Sequence, residues 1–260
     1  EFFSNENSIV LERLKVVREE QLTDILMDAA LTFKEEQISA NLTVMPLLSS
    51  DADGEKLGLM LMVEDISNEK RMKSTMSRYM DPGIADQLLN DSSDDIMGGA
   101  NTTATVLFSD VRGFTTLTEE LGAQGTVSFL NEYFTVMVDC IAKEEGMLDK
   151  FIGDAIMAAF GLPISHDDDE DRAVRASISM ISELWKWNKV RESKGLKPAD
   201  MGIGLNTDSV VSGNIGSPKR MDYTLIGDGV NLAARLESAC KAYSARILIS
   251  ENTFKKLKGT

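Results

Sequence analysis

At 260 residues, 43% hydrophobic and 27% charged, the chain has room for one large domain beside a smaller one and the balance of a folded globular protein. Its formal charge of −15 is concentrated early: residues 1–100 carry 20 acidic against 9 basic side chains, the remainder 22 against 18. No basic stripe is left for nucleic acid or anionic lipid, while the near-balanced second half suits a polyanionic substrate.

No apolar run reaches the roughly 18 residues of a membrane span, and no signal peptide is expected in this stretch. Cys140 and Cys240 are too few for a disulfide framework or a zinc site, which points to a reducing, cytoplasmic setting with both as small buried hydrophobes. The chain opens at Glu1 without a methionine, so it is expected to be a piece of a longer parent, in which a membrane segment remains open.

Asn7 or Ser8 can cap a helix running to about Gln21, with Ile9, Val10, Leu14 and Val17 on its apolar side. Strands are expected over residues 25–33, 37–48 and 57–64, the second alternating around Ile38, Leu42 and Val44 and joined to the third by the turn at residues 51–54. This helix and meander resemble the C-terminal part of a PAS sensor domain. The resemblance implies a partial PAS-like piece over residues 1–65 that lacks the early strands, and no ligand is assigned to it. Such a sheet, open on one face, is expected to pair with another copy or to be poorly ordered.

Residues 66–101 read as a connecting segment. A helix over 66–80 carries a narrow stripe of Met72, Met76 and Tyr79 or Met80. The stripe fits core packing or a parallel dimer helix. Asp81-Pro82 stops that helix and starts another, and residues 91–102 form a polar, Gly-rich linker.

Three stretches of the second half carry chemistry. In TVLFSDVRGFTTLTE, residues 105–119, a short buried strand delivers Asp110 to a Gly-containing turn. A carboxylate there can hold a hard cation while the turn's N–H groups meet phosphate oxygens, although a lone strand-end Asp is better described as a turn cap. In LDKFIGDAIMAAFG, residues 148–161, two apolar arms flank a tight Gly153-Asp154 turn, which reads as a hairpin. If it lies beside the first strand, Asp110 and Asp154 converge, and two carboxylates suit Mg²⁺ or Mn²⁺ and in-line attack on phosphorus. In MDYTLIGDGVNLAARLES, residues 221–238, Asn231 and Arg235 share one helix face. Arg235 is either a surface residue or a stabiliser of phosphoryl charge.

Between these stretches a helix is expected around residues 125–145. The acidic run 167–171 opens another helix, to about Ser193, with Ala173, Ala176, Ile178, Ile181, Leu184 and Trp185 as its apolar residues; dipole complement explains the run better than calcium. His166, the sole histidine, is expected to be a surface cap residue. Strands at 201–206 and 210–215 around a turn at 207–209, a helix at 228–241 and a strand at 246–249 complete a βαββαβ-type order. That order fits an α+β sandwich of the ferredoxin-like kind.

In order and spacing, FSDVRGFTTLTE, DKFIGDAIMAAFG and YTLIGDGVNLAARLE resemble the catalytic domain of class III nucleotidyl cyclases over about residues 102–260. The resemblance implies two Mg²⁺ or Mn²⁺ ions held by Asp110, Asp154 and the Val111 carbonyl. It implies phosphate contacts from the backbone of Gly113, Phe114 and Thr115, ribose orientation by Asn231 and transition-state stabilisation by Arg235. Lys150 and Thr224 fall where the family reads the purine. A lysine donates and a threonine hydroxyl accepts, which matches N1 and the 6-amino group of adenine, so ATP is expected to be converted to cyclic AMP and pyrophosphate.

The family joins the two halves of its site from two catalytic domains, so a head-to-tail homodimer with parallel connecting helices under an upstream sensor is expected. The family also continues into a strand pair beyond a segment like residues 250–260, so the catalytic domain is expected to be truncated here. A guanylyl cyclase, or a silent signalling and dimerisation module, are the alternatives.

Overall fold

In a computed structural model, residues 5–48, 56–76, 80, 84, 98–217 and 219–259 are described. The expected turn at 51–54, the helix stop at 81–82 and most of the linker lie outside them. The chain divides into two compact units, Glu1–Tyr79 and Met80–Thr260, and no helix among the described residues is long and apolar enough to cross a membrane.

The first unit places helix α1 (Ser8–Glu20) on an antiparallel sheet of β1 (Asp24–Phe33), β2 (Glu36–Leu48) and β3 (Lys56–Asp65), followed by α2 (Ser67–Met76). Val10 packs on Ala29, Leu31, Ala40 and Leu42, as period-2 alternation in β2 requires. The opposite face leaves Ile25, Met60 and Met62 exposed. Asn7 stands at the helix start but makes no side-chain cap. It is buried and clamps β1 instead, donating from Nδ2 to the Thr32 carbonyl and accepting the Thr32 N–H at Oδ1, both at 2.8 Å. No α2 side chain is buried, Met72 included.

The second unit runs β4 (Gly98–Val111), α3 (Phe114–Lys143), β5 (Met147–Ile152), β6 (Ala155–Phe160), α4 (Asp169–Ser193), β7 (Met201–Ser217), β8 (Arg220–Ile226), α5 (Asp228–Ala242), β9 (Ile247–Ile249) and α6 (Glu251–Lys256). Its sheet has the order β5-β6-β4-β7-β8, with β9 parallel to β7. The four strands β5-β6-β4-β7 with α3 and α4 form the expected ferredoxin-like α+β arrangement.

One face of the sheet presents Leu107, Ile156, Phe160, Met201 and Ile203 to Phe129, Tyr133 and Met137 of α3 and to Ala176, Met180 and Leu184 of α4. The other face presents Val106, Met157 and Leu225, with Val230 and Ala233 of α5 packed among them.

Several expected bounds are corrected. Strand β4 begins at Gly98, inside the expected linker, because residues 98–104 pair with 208–214 of β7. Strand β7 runs through the expected turn at 207–209. Thr207 and Asp208 pair with Thr105 and Ala104, and the Thr207 hydroxyl is buried against those of Thr105 and Thr253 at 2.8 and 3.0 Å. Helix α3 starts at Phe114, directly after the glycine turn, and continues through the helix expected around 125–145, with a break at Gly122 (φ 67°, ψ 176°) that joins two helical pieces. On α4, Ile178 and Trp185 are exposed and Met180 takes the core position. His166 is at the surface as expected, but Asp168 holds the cap position; the His166 N–H donates to Asp169 Oδ2 at 2.9 Å.

Candidate active site

The alternation that sends Leu107 and Val111 of β4 toward α3 and α4 sends Phe108 and Asp110 to the opposite face. Beside β4, with Ser109 opposite Ile156, the β5–β6 hairpin turns at Gly153. That glycine has φ 66°, a left-handed conformation that favours Gly. Asp154 follows it, with its carboxyl close enough to that of Asp110 for the two charges to repel.

Burial and then Asp110 push the Asp154 pKa up to about 6, opposed by backbone N–H groups including that of Val111. Two half-buried carboxyls held in contact form a repulsive pair unless a proton or cation sits between them, and this donor chemistry fits a hard divalent ion. Among the described residues no group of three or more His, Cys, Asp or Glu side chains is placed to share a metal, so backbone oxygen and substrate would have to complete the coordination.

A stability prediction follows from the direction of that shift. The folded-state pKa lies above the unfolded value of 3.8. The folded chain therefore takes up the extra proton between about pH 6 and pH 4, and the repulsion is fully present above pH 6. In chelator, wild-type protein is expected to gain stability as pH falls from 7 to 5. Asp154→Asn is expected to lose that slope and to exceed wild type at pH 7 by on the order of 1 kcal/mol, after discounting for solvent screening. Mn²⁺ at pH 7 should raise the melting temperature of wild type and leave that of the variant unmoved. Parallel pH profiles for the two proteins would overturn this account of the pair.

Gly113 (φ 66°, ψ 25°) caps the N-terminus of α3, whose first helical bond is Leu117 N–H to the Gly113 carbonyl at 3.1 Å. The N–H groups of Phe114 and Thr115 lie ahead of that bond, at the positive end of the helix. Phe114 is half-buried against Phe129 (ring centroids 6.4 Å apart), which seats the helix start, and Thr115 is exposed. The neighbouring Arg112 serves the fold rather than the phosphates, since its guanidinium donates to the Ala245 carbonyl and pairs with Asp200.

Lys150 and Thr224 sit on β5 and β8, the two outer strands of the sheet order. The sheet curls enough to bring them together, and the link is a residue that sequence reasoning missed. Asp149 lies where the β5–β6 register shifts between Leu148 and Lys150. Its side chain is fully buried, with Oδ2 3.0 Å from the Thr224 hydroxyl and 3.6 Å from Lys150 Nζ. Burial raises the Asp149 pKa, while Lys150 and Thr224 pull it down. A lone acidic residue inside an apolar strand, MLDKFI, was the available signal.

Asn231 and Arg235 are both exposed on α5, one turn apart as the sequence expects. Close approach of α5 to β7 at Gly202 and Gly204 fixes their position. Glu237 of the same helix lies near Asp110, and burial raises its pKa.

Comparison with known proteins points to one family. Residues 99–260 match the family described as the adenylate and guanylate cyclase catalytic domain. An adenylate cyclase of Anabaena cylindrica is 39% identical over 166 residues, covering 62% of this chain and 32% of that protein. The crystal structure of the guanylyl cyclase Cya2 is 42% identical with a TM-score of 0.58, over 63% of this chain and 82% of that one. The structure of a bacterial light-regulated adenylyl cyclase is 29% identical with a TM-score of 0.66, over 75% of this chain and 57% of that one. The chain thus spans only about a third of the length of the curated relatives it matches. With a family match across more than half its length and the paired strand-end and hairpin carboxyls in place, this chain belongs to the class III adenylate and guanylate cyclase catalytic-domain family.

Proposed function

We propose that the domain is an adenylyl cyclase, converting ATP to 3′,5′-cyclic AMP and pyrophosphate at sites shared by two copies of the chain. The observation that carries the choice of base is the meeting of Lys150 and Thr224 at one buried carboxylate. An ammonium can donate to adenine N1 and a hydroxyl can accept from the 6-amino group, whereas guanine needs an acceptor for N1–H that a lysine cannot supply. The guanylyl reading is favoured by the 42% identity to Cya2, and it is opposed by that lysine.

In this reading Asp110, Asp154 and the Val111 carbonyl would hold two Mg²⁺ or Mn²⁺ ions, which when bound supply Lewis-acid polarisation of the ribose 3′-hydroxyl and neutralise triphosphate charge. The backbone N–H groups of Gly113, Phe114 and Thr115 bind phosphate oxygens at the helix start. Asn231 orients the ribose. Arg235 offsets the charge that develops as the 3′-oxygen attacks the α-phosphorus and pyrophosphate leaves.

Asn231 and Arg235 are exposed, and neither side chain is hydrogen-bonded to a described residue. This supports a second copy, docked head to tail, as the one that uses them. The similarity to the light-regulated enzyme covers 75% of this chain, more than the catalytic segment alone. It supports α2 as a link to an upstream sensor.

The test is product formation from ATP and from GTP with Mn²⁺ over a range of protein concentrations. Cyclic AMP should form from ATP alone, with specific activity rising with concentration. Cyclic GMP as the main product would overturn the base choice, and a concentration-independent specific activity would overturn the shared site.

A further inference from the structure

Asp149 has no part in the reaction as described so far, yet both base-reading side chains touch it. Its side chain is fully buried between Leu148 and Lys150 where the strand bulges, so an ionisable group faces inward that solvent would otherwise stabilise. Oδ2 meets Thr224 Oγ1 at 3.0 Å and Lys150 Nζ at 3.6 Å, and Oδ1 has no hydrogen-bond partner among the described residues. A bulged, buried carboxylate tying together the two outer strands of a curled sheet is a costly feature for packing alone.

We propose that Asp149 sets purine specificity by fixing the hydrogen-bond polarity of Thr224. The proposal rests on the adenylyl reading above and assigns its selectivity to a residue that never touches the base. A threonine hydroxyl has one proton and two lone pairs, so by itself it can donate to the 6-oxo group of guanine as readily as it accepts from the 6-amino group of adenine. A carboxylate only accepts.

With its proton directed to Asp149 Oδ2, Thr224 Oγ1 is left as an acceptor alone. It then matches an amino group at C6 and opposes an oxo group there. The same carboxylate pairs with the Lys150 ammonium at 3.6 Å next to the bulge, which leaves its N–H bonds for an N1 acceptor. Asp149 is therefore a positioning residue, acting through Thr224 and Lys150.

The test measures kcat and KM for ATP and GTP with Mn²⁺ on the full chain, as wild type, Asp149→Asn, Thr224→Val and the double variant, with thermal unfolding of each. An asparagine can turn its amide N–H to Thr224 and reverse the hydroxyl. The ATP-to-GTP ratio of kcat/KM is then expected to fall roughly tenfold or more, through a higher KM for ATP and a lower one for GTP. Thr224→Val should lose the ratio similarly, and the double variant should lose no more than either alone.

A wild-type preference for GTP would overturn the adenylyl reading and this proposal together. A wild-type preference for ATP that Asp149→Asn leaves intact, including the case where both substrates slow equally, overturns this proposal alone and makes the residue structural. Where turnover is too slow to measure, affinities for the α,β-methylene analogues of ATP and GTP give the same ratio. If Asp149→Asn does not fold, Thr224→Ser and Thr224→Val decide: the serine keeps a hydroxyl for Asp149 and should keep the ratio, and equal ratios in the two overturn the proposal.

Discussion

Asp110→Ala and Arg235→Ala chains, each close to inactive alone, are expected to recover about a quarter of the wild-type rate when mixed in equal amounts and allowed to exchange. The expectation comes from the head-to-tail pairing proposed above. Asp110 and Asp154 meet on one chain, while Arg235 is exposed on α5 with no hydrogen-bond partner among the described residues. In a head-to-tail dimer, one site of every mixed pair carries both lesions and the other carries none. Random pairing makes half the dimers mixed, each with one working site of two.

Losing a charge-stabilising donor costs about 100- to 1000-fold in turnover, so each variant alone sets a low background against which the recovery is plain. Cyclic AMP formation after dilution, mixing and reconcentration is the measurement. If each chain contained its own complete site, mixing would give only the sum of two inactive proteins.

Local chemistry explains what was legible in the sequence. The β5–β6 hairpin was readable because a glycine at φ 66° between two apolar arms encodes its own turn. Asn231 and Arg235 were readable because helical spacing alone puts them on one face. Strand β4 before residue 105 was not. GANTTA has no apolar alternation, and its strand character comes from the ladder to residues 208–213, over a hundred positions away.

The same distance hid the continuity of β7. Thr-Asp-Ser has the composition of a turn, yet Thr207 is buried among partner hydroxyls from β4 and α6. Asp149 was overlooked for a subtler reason. Period-2 reasoning assigns strand residues to faces, and a bulge resets that assignment where it occurs, so the one signal, an acidic residue inside the apolar strand MLDKFI, could not by itself place Asp149 inward. The order of elements therefore emerged from pattern, whereas the reach of the long strands and the inner layer of the base cluster required tertiary contacts.

Gly204→Ala is expected to be among the most damaging single-methyl changes in the domain, because the space it needs is filled by backbone. Gly204 sits in β7 opposite Phe108 of β4 and Leu248 of β9. A Cβ there would stand 2.2 Å from the Glu237 nitrogen and 2.3 Å from the Ala233 carbonyl oxygen, both on α5. No rotamer change relieves such a contact, so the helix must retreat as a body. Its other moorings would be strained with it: Asn206 Nδ2 to the Gly229 carbonyl at 2.9 Å, and Cys240 Sγ to the Ile203 carbonyl at 3.3 Å.

The expected cost is about 2–4 kcal/mol, or a melting temperature lower by roughly 5–15 °C. Because Asn231 and Arg235 ride on α5, an ångström of retreat should also lower kcat by about 100-fold at temperatures where the variant remains folded. Gly202→Ala supplies the comparison. Its Cβ first meets Glu237 Oε1, at 2.9 Å, the end of a side chain that can swing aside, so it should cost less in both readouts. Equal effects at the two positions would mean that crowding of the α5 backbone is not what seats the helix. A Gly204→Ala protein with wild-type melting and rate would remove β7 as the platform that holds Arg235.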